Sequence, residues 1–274
     1  MTPSCPSGWL PETRSVPRVA GMPAAVATPG TALAGRLRIE WARDESDVRS
    51  AQRLRWRVFA EEMGARLRPL AGAPAGHDVD PFDAHCEHLL ALVDHGEAGR
   101  RVVGTYRVLM PSAARRLGTY FTESEFDLTR LRSLRPRLAE FGRACIDADW
   151  RRSSVLPMLW TALADFLRAN ATQAVIGCAS VPMRDGGHLA AGLWHALRRD
   201  HLAPIEHQVA PLAPAPVDGP PASGPFEPPP LLRGYLRCGA RLLGPPAWDA
   251  AFDCADLPLL LQVRDLPARY QRAR

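Results

Sequence analysis

The sequence of 274 residues contains no lysine, so all 34 residues in its lysine and arginine total are arginine. They outnumber the 29 acidic residues and give a formal net charge of +5. A net positive surface favours an acidic partner or an anionic membrane face. The arginines are scattered and accompany no nucleic-acid-binding motif, which argues against nucleic acid as a partner.

The chain also lacks a CxxC pair, and its six cysteines follow no regular spacing. Such cysteines are typical of buried thiols in a reducing compartment. No apolar run reaches the roughly 18 residues that a membrane span needs. The N-terminal residues lack the sustained apolar stretch of a signal peptide. These absences predict a cytoplasmic protein.

Two stretches differ in composition from the rest of the chain. Residues 1–35 are rich in proline and alanine without periodicity, which predicts a disordered tail. Residues 208–230 are richer still in proline, which excludes a helix or a central strand there and predicts a loop or linker. The sequence therefore predicts one folded domain over 36–270 with a Pro-rich insertion at 208–230.

Within this domain the apolar periodicity alternates between that of strands and that of helices. The predicted strands are 36–43, 87–94, 101–110, 139–147, 174–181 and 257–263, and the predicted helices are 45–64, 153–170 and 186–200. This order predicts an α/β domain whose mixed sheet contains one central parallel crossover.

The strand "AEFGRACID", residues 139–147, carries two charges inside an apolar run, Glu140 and Arg143. Buried charges cost several kcal/mol unless they are paired or used, so their presence needs an explanation. One interpretation is structural: the two side chains pair with each other, or with Asp80 or Arg107, and stabilise the sheet. The other is that they belong to an active site.

Several motifs, in this order along the chain, resemble the bacterial ornithine N-acyltransferases. They are "RLRWRVFAEEMGA", "DVDPFDAHCEHLLALVD", "VVGTYRVLM", "FTESEFDL", "EFGRACID" and "LLRGYLRCGARLLGPPAWDAAFDCADLPLLL". That family is similar to the acyl-homoserine lactone synthases, and the match spans 36–266 apart from the insertion. The resemblance implies a GNAT-like acyl-CoA N-acyltransferase fold, in which helices flank a mixed central sheet with splayed parallel strands.

The resemblance also implies the reaction. The expected enzyme is an N-acyltransferase that moves a 3-hydroxyacyl chain from acyl carrier protein to the α-amino group of L-ornithine, giving lyso-ornithine lipid. This is the first step of ornithine-lipid biosynthesis. The transfer is expected to need no metal or redox cofactor, and the enzyme is expected to touch the inner face of the anionic membrane peripherally.

Three residues of the "EFGRA" stretch are expected to be catalytic. Glu140 would take the proton from the amine, directly or through a water, since an α-amino group is largely protonated at neutral pH. Arg143 would orient Glu140 or hold a carboxylate. Gly142 is expected at a bulge whose free backbone N–H stabilises the thioester oxyanion.

The similarity to the lactone synthases implies a second set of residues, which binds the substrate. These are Arg55, Phe59, Asp80, Asp83 and Arg107. The two aspartates are expected either to attract the cationic acceptor or to pair with arginines. A metal interpretation of the segment from His77 to His88 is open, but the spacing of its side chains disfavours it.

The donor is inferred from a missing motif. GNAT enzymes that use coenzyme A usually carry an R-x-x-G-x-G loop before a helix, whereas this chain has "DWRRSSV", without glycine. The residues Arg151, Arg152, Ser153 and Ser154 are expected to hold the single phosphate of a phosphopantetheine arm and to attract an acidic carrier protein. The alternative is that both arginines are merely solvated.

Two other functions remain open at this level. One is an autoinducer synthase of the acyl-homoserine lactone type, with S-adenosylmethionine as acceptor; the C-terminal motif favours the ornithine group instead. The other is a non-catalytic module that binds an acyl carrier or a membrane. The intact set of charged residues argues against it.

Overall fold

The computed structural model describes residues 37–68, 70–94, 99–217 and 226–270. The predicted disordered tail at 1–35 lies outside these residues. Ten strands are β1 (Leu37–Trp41), β2 (Glu87–Asp94), β3 (Arg100–Leu109), β4 (Phe126–Asp127), β5 (Leu138–Ile146), β6 (Ala174–Pro182), β7 (Ala210–Pro211), β8 (Arg241–Leu242), β9 (Ala247–Asp249) and β10 (Cys254–Gln262). The α-helices are α1 (Glu45–Trp56), α2 (Pro111–Leu117), α3 (Val155–Ala169), α4 (His188–His201) and α5 (Pro230–Arg237).

Eight strands form one mixed sheet. Seven of them have the order β1–β2–β3–β5–β6–β10–β8, and the eighth, β9, pairs with the first residues of β10. Only β5 and β6 are parallel, and α3 connects them. This confirms the predicted α/β fold with a single parallel crossover, which needs a helix to return the chain to the same edge.

All six predicted strands and all three predicted helices are present, with ends shifted by a few residues. Asp44 caps α1 by accepting a hydrogen bond from the N–H of Asp47, and a π-helical segment, Arg57–Glu62, continues that helix. The sequence reading did not predict α2 and α5. Both begin with a proline in the first turn, where its missing N–H costs nothing.

The described part of the Pro-rich insertion packs against the domain. Val209 is buried and donates its N–H to the carbonyl of Leu243. The short strand β7 of the insertion pairs with β4 in a separate two-stranded sheet, outside the central sheet. α5 starts at the last residue of the insertion, Pro230.

The two faces of the sheet carry different helices because neighbouring residues of a strand point to opposite sides. Leu89 packs in the core that includes Leu159 of α3 and residues of α4 and α5. Leu90 packs in the core that includes Leu54 of α1. α1 therefore covers one face, and α3, α4 and α5 cover the other.

The parallel strands separate soon after they meet. β5 and β6 pair over only three positions, ending at Glu140 opposite Ile176, although both strands continue for six more residues. β5 stays paired with β3 as far as Ile146. Past Glu140, main-chain groups of β5 on this side therefore have no ladder partner in β6, and a gap opens between the two central strands.

A β-bulge in β5 accompanies this separation, but it is not at Gly142. Gly142 pairs in register with Arg107, whereas two residues, Arg143 and Ala144, lie opposite Tyr106. Arg143 has a φ of 51°, the left-handed conformation of a bulge. The expectation that Gly142 supplies the bulge conformation is therefore wrong, because the larger neighbouring residue adopts it.

Gly177 marks the point of separation on β6. A Cβ atom built there would lie 2.7 Å from the carbonyl oxygen of Phe141, closer than real contacts allow. At Gly142, by comparison, the nearest atom to an added Cβ is Nη2 of Arg107, at an ordinary 3.8 Å. Only the first position requires glycine for space.

We therefore expect Gly177→Ala to destabilise the domain by about 1 to 3 kcal/mol, since either β5 or β6 must shift its backbone. Gly142→Ala is the matched control on the neighbouring strand and should change stability by less than about 1 kcal/mol. Urea unfolding of the two variants measures both effects. Equal loss in the two variants would contradict the assignment of the contact.

Candidate active site

A buried cluster of ion pairs joins α1, β3, β5 and the segment before β2. Its members, hereafter the arginine–aspartate cluster, are Arg55, Arg107, Arg143, Asp78, Asp80 and Asp83. Each of these side chains is at most 5% exposed. The structure thus brings together all four of the charged residues that the sequence placed in the substrate-binding set, together with Arg143.

Arg55 and Arg107 share Asp83. Nη2 of Arg55 lies 2.6 Å from Oδ2 of Asp83, and Nη1 of Arg107 lies 2.9 Å from Oδ1. Arg55 also contacts Asp78: the pair Nε and Oδ2 are 2.8 Å apart without hydrogen-bond alignment, and Nη2 donates to the main-chain carbonyl. Two guanidinium groups therefore neutralise one carboxylate and orient the segment that carries it.

Asp80 is held in the same way from the other side. Its Oδ2 lies 2.6 Å from Nη1 of Arg107 and 3.0 Å from Nη2 of Arg143. Burial raises the pKa of Asp80, but the attraction of Arg107 and Arg143 outweighs it and leaves the pKa below its usual value. Asp80 is thus ionised at neutral pH, with arginines as its counter-ions.

Of the two alternatives for Asp80 and Asp83, the structure shows pairing with arginines. For Asp83 as well, the attraction of Arg55 and Arg107 overcomes burial and lowers the pKa. His88, whose Nε2 lies 3.0 Å from the carbonyl oxygen of Asp83, is neutral because burial lowers its pKa to about 4. Phe59, in the π-helical segment after α1, packs edge-on against Phe252, with ring centroids 5.5 Å apart, and the ring of Phe252 lies 5.8 Å from Cζ of Arg143.

Glu140 lies on the same sheet face but has different partners. Its Oε2 accepts the N–H of Phe121 at 2.8 Å, and its Oε1 accepts the N–H and the hydroxyl of Thr122 at 2.7 and 2.6 Å. Arg143 stacks over the ring of Phe121, with 5.4 Å from Cζ to the ring centroid. Both charges of the strand thus contact the turn that begins at Phe121, and the bulge returns Arg143 to the face of Glu140.

The environment of Glu140 favours the neutral form of the carboxyl. Burial raises its pKa, and the hydrogen bonds from Thr122 and Phe121 and the charge of Arg107 counteract this only in part. A carboxyl whose pKa is shifted upward, towards neutrality, is better matched to accept a proton than an ordinary surface carboxylate.

The expected phosphate-binding turn before α3 is partly occupied by its own side chains. Arg151 pairs with Glu62 and donates to the carbonyl of Ile146. The hydroxyl of Ser153 accepts the N–H of Val155 and so caps α3, while the hydroxyl of Ser154 contacts Met158. The side chain of Arg152 is exposed.

A groove of about 700 Å³ lies between the first half of α3 and the length of α5. One wall is apolar and the rim is basic. The lining residues are Leu156, Pro157, Trp160, Thr161, Pro230, Arg233, Gly234, Arg237, Cys238, Arg269 and Tyr270. An apolar chain with a phosphate at one end matches this distribution of surface chemistry.

A second group of buried carboxyls was not identified from the sequence. Glu125, Asp249 and Asp256, hereafter the acidic cluster, are each at most 7% exposed. Oxygens of Glu125 and Asp256 and the sulfur of Cys178 lie within 4.8 Å of one another. No arginine or histidine of the described residues lies within ion-pair distance of these three carboxyls. Asp256 interrupts an apolar strand as Glu140 does, and this signal was available in the sequence.

The carboxyls of the acidic cluster are buried without a paired cation in the described part of the chain, and this burial is the main cause of their pKa shifts. It raises the pKa values of Glu125 and Asp256 well above their usual range; Asp256 and Asp249 raise the pKa of Glu125 further, and Asp249 also raises that of Asp256. Burial also raises the pKa of Asp249 to about 6, although N–H groups of Phe252 and Ala251 and the charge of Arg143 pull it down. The two clusters therefore have opposite electrostatic balance.

Neighbouring thiols complete the description of this region. Cys86, Cys145, Cys178 and Cys238 are free. Cys254 is disulfide-bonded, so the expectation of free thiols is wrong at that position. The two groups of described residues with metal-ligand geometry both contain Asp256, and neither includes the segment from His77 to His88.

Comparison with known proteins identifies the family. Residues 54–161 match the acetyltransferase (GNAT) domain. An L-ornithine N(alpha)-acyltransferase of Rhizobium meliloti (strain 1021) is 34% identical over 265 residues, which cover 90% of this chain and 88% of the relative. This chain belongs to the family of L-ornithine N(alpha)-acyltransferases. It is therefore an N-acyltransferase with a GNAT fold.

A second L-ornithine N(alpha)-acyltransferase supports this assignment. The L-ornithine N(alpha)-acyltransferase of Agrobacterium fabrum is 32% identical, with 86% of this chain and 84% of the relative covered. Among solved structures, the acyl-homoserine lactone synthase LasI has a TM-score of 0.46 at 16% identity, with 83% of this chain and 89% of that chain covered. In the ranges that the structure describes, no helix has the length and apolar character needed to cross a membrane.

The arginine–aspartate cluster predicts a large stability effect. Arg55→Met leaves the carboxylates of Asp78 and Asp83 short of a counter-ion inside the domain, so we expect a loss of about 3 to 5 kcal/mol at pH 7. Arg49→Met removes an exposed pair with Glu45 on the same helix and should cost less than about 0.5 kcal/mol. Chemical unfolding measures both.

The pH dependence of the stability loss in Arg55→Met tests whether that loss is electrostatic. The folded-state pKa of Asp83 is lowered by Arg55, so the stability that it contributes is lost as the pH falls below the ordinary aspartate value. Removing Arg55 allows Asp83 to protonate more readily, and the deficit of Arg55→Met should therefore shrink as the pH is lowered towards 4. A deficit that is constant with pH would indicate lost packing instead.

Proposed function

We propose that this enzyme transfers a 3-hydroxyacyl chain from acyl carrier protein to the α-amino group of L-ornithine, giving lyso-ornithine lipid. This is the first step of ornithine-lipid biosynthesis. The observation that carries the proposal is the separation of β5 and β6 after Glu140. The groove between α3 and α5 lies on one face of the sheet at this point, and the two clusters of charged side chains lie on the other. The names of its relatives supply the acceptor.

The separated strands provide a route between the two faces. A thioester arm placed in the gap would meet main-chain groups of β5 that have no partner in β6. Such groups, in the stretch from Phe141 to Arg143 that includes Gly142, are suited to stabilise the oxyanion that forms when an amine attacks the thioester carbonyl. Apolar residues at the floor of the groove, such as Trp160, would accompany the acyl chain.

The groove favours a carrier protein as the source of the acyl group. Arg237 and Arg269 are exposed on its rim, and Arg152 is exposed at the turn before α3. Carrier proteins are acidic, and complementary charge guides such encounters. The same basic surface supports the proposal that the enzyme makes peripheral contact with the inner, anionic face of the membrane.

We expect purified enzyme with 3-hydroxyacyl carrier protein to acylate ornithine at its α-amino group, with lysine a poorer acceptor and S-adenosylmethionine inactive. Mass spectrometry of the products distinguishes these acceptors. The carrier-bound chain should also be used with a kcat/KM at least about tenfold above that of the same chain on coenzyme A, because only the carrier presents an acidic surface.

Charge reversal on the rim of the groove tests which donor the enzyme uses. Arg237→Glu should raise the KM for acyl carrier protein and leave the KM for ornithine unchanged, whereas Arg116→Glu, exposed on α2 and not part of the groove, should change neither. Homoserine lactone products from S-adenosylmethionine would favour the synthase alternative. Equal kcat/KM with both donors would contradict the carrier assignment.

We further propose that Glu140 is the base that deprotonates the amine, directly or through a water. The support is its position at the last paired residue before the gap and the upward shift of its pKa. Its hydrogen bonds from Phe121 and Thr122 fix the carboxylate in place. Arg143, Arg107 and Arg55 would then act through the arginine–aspartate cluster, which shapes the acceptor side of the gap.

Glu140→Gln keeps the size of the side chain but cannot accept a proton. We expect kcat to fall by about 10² to 10⁴ at neutral pH while the melting temperature stays within a few degrees. Raising the pH should recover part of the activity, because the amine is then already deprotonated. The pH dependence of kcat/KM and the melting temperature should be measured on the same preparation.

The structural alternative makes the opposite prediction. If Glu140 only anchors the turn at Phe121 and Thr122, the variant should lose a few kcal/mol of stability and keep the wild-type pH profile in its remaining activity. Thr122→Val is a useful control, since it removes one donor to Glu140 and leaves the carboxylate. A destabilised Glu140→Gln with an unchanged pH profile would refute the catalytic role.

A further inference from the structure

We propose that the acidic cluster of Glu125, Asp249 and Asp256 binds the side-chain ammonium group of the amino-acid acceptor and so sets its specificity. This inference rests on the proposed acylation of ornithine and deepens it. It assigns the recognition of the second amine to residues other than Asp80 and Asp83, whose carboxylates already have arginines as partners.

Three separate elements converge to form the cluster. Glu125 follows the turn whose N–H groups bind Glu140, Asp249 ends β9, and Asp256 lies in β10. Asp249 pairs with Cys254, two residues before Asp256, which puts both aspartates on one face of the sheet. Ser180 lies directly opposite Asp256 on β6 and therefore points to the same face.

Each carboxyl of this cluster has one oxygen without a donor among the described residues, although Cys178 donates to Oε2 of Glu125 and the N–H groups of Ala251 and Phe252 donate to Oδ1 of Asp249. Within the part of the chain that the structure describes, four of the buried atoms without a hydrogen-bond partner belong to this cluster or to its neighbour Ser180: Oε1 of Glu125, Oδ2 of Asp249, Oδ2 of Asp256 and Oγ of Ser180. Ser180 is only 1% exposed. Buried polar groups are rarely left in this state without a ligand. An ammonium group offers three N–H donors and a positive charge, which matches both deficits.

The alternative to a bound ammonium group is that a shared proton stabilises this cluster. Glu125 and Asp256 lie close enough for one proton to join them, which would neutralise one charge. Asp249 would still lack a counter-ion among the described residues. The nearest positive group that influences it, Arg143, is already engaged by Asp78 and Asp80. A cation satisfies the three carboxyls better than a single proton does.

The cluster also lies where the acceptor has to be. Ile176, the last β6 residue paired with β5, is opposite Glu140, and Cys178 and Ser180 continue along the same face into the gap. Cys178 connects the two sites along β6, since it lies two residues after Ile176 and its sulfur donates to Oε2 of Glu125 at 3.6 Å. An amino acid with its α-amine at Glu140 would extend its side chain along β6 towards the cluster.

Norvaline provides the sharpest probe, since it is ornithine without the side-chain amine. A site built around a buried ammonium group rejects an analogue that lacks it strongly, because the carboxyls then stay uncompensated. We expect the wild-type enzyme to acylate ornithine with a kcat/KM at least about 10³-fold above that for norvaline. Asp256→Asn and Glu125→Gln should each reduce this ratio at least about tenfold, by lowering the value for ornithine alone.

The control variant is Asp127→Asn, which changes an exposed carboxylate two residues after Glu125 and should leave the ratio unchanged. The melting temperature of Asp256→Asn should equal or exceed that of wild type, since the variant replaces a buried ionisable group, which has no paired cation among the described residues, by a neutral amide of the same size. If Asp256→Asn fails to fold, Asp249→Asn replaces it, because the amide oxygen still accepts the N–H groups of Ala251 and Phe252.

Binding measurements separate this inference from the proposed reaction. Calorimetry should show ornithine binding that weakens in Asp256→Asn and norvaline binding that does not, even if no product forms. Absence of any product with ornithine, together with this binding pattern, would refute the reaction and support the site. Equal acylation and equal binding of ornithine and norvaline by the wild type would overturn the site and leave the reaction. Zinc binding in place of ornithine, lost in Asp256→Asn and Cys178→Ala, would also overturn it.

Discussion

The neutralisation of three buried aspartates by three buried arginines is the interaction on which the rest of this fold depends. Each carboxylate belongs to the irregular segment before β2, and the arginines come from α1, β3 and β5. Removing any one member leaves a charge inside the domain, which costs more than the pair itself contributes. The cluster thus fixes a segment without regular structure against three elements of the sheet face.

The same interaction affects the central strands. Arg143 reaches Asp78 and Asp80 from a left-handed bulge in β5, while the strand keeps its pairing with β3. On the other side, β6 separates from β5 after Ile176 while it stays paired with its antiparallel partner β10 along its whole length. The sheet therefore opens where a charged, rigid surface and an apolar groove lie on opposite faces. This geometry suits the meeting of a polar amine and an acyl thioester.

The two clusters of charged residues differ in their charge balance. We assign a structural role to the first cluster and a binding role to the second. In the first, the charges balance, and the pKa values of Asp80 and Asp83 are lowered by arginines. In the second, burial leaves Glu125 and Asp256 with raised pKa values and no paired cation among the described residues. A protein retains such an unfavourable arrangement when a ligand compensates it, and the acidic cluster is therefore where we place the second amine of the acceptor.

The amino-acid sequence by itself determined the elements, their order and the family. Apolar periodicity is a local property, so it located β2 and α3 within a few residues, and the charges at Glu140 and Arg143 marked β5 as a candidate for the active site. Only the tertiary structure decided which charges meet. It paired Asp83 with Arg55 and Arg107, placed the bulge at Arg143 instead of Gly142, and joined Glu125 to Asp249 and Asp256 across more than a hundred residues. Long-range pairing and burial set these contacts, and neither leaves a periodic signal in the sequence.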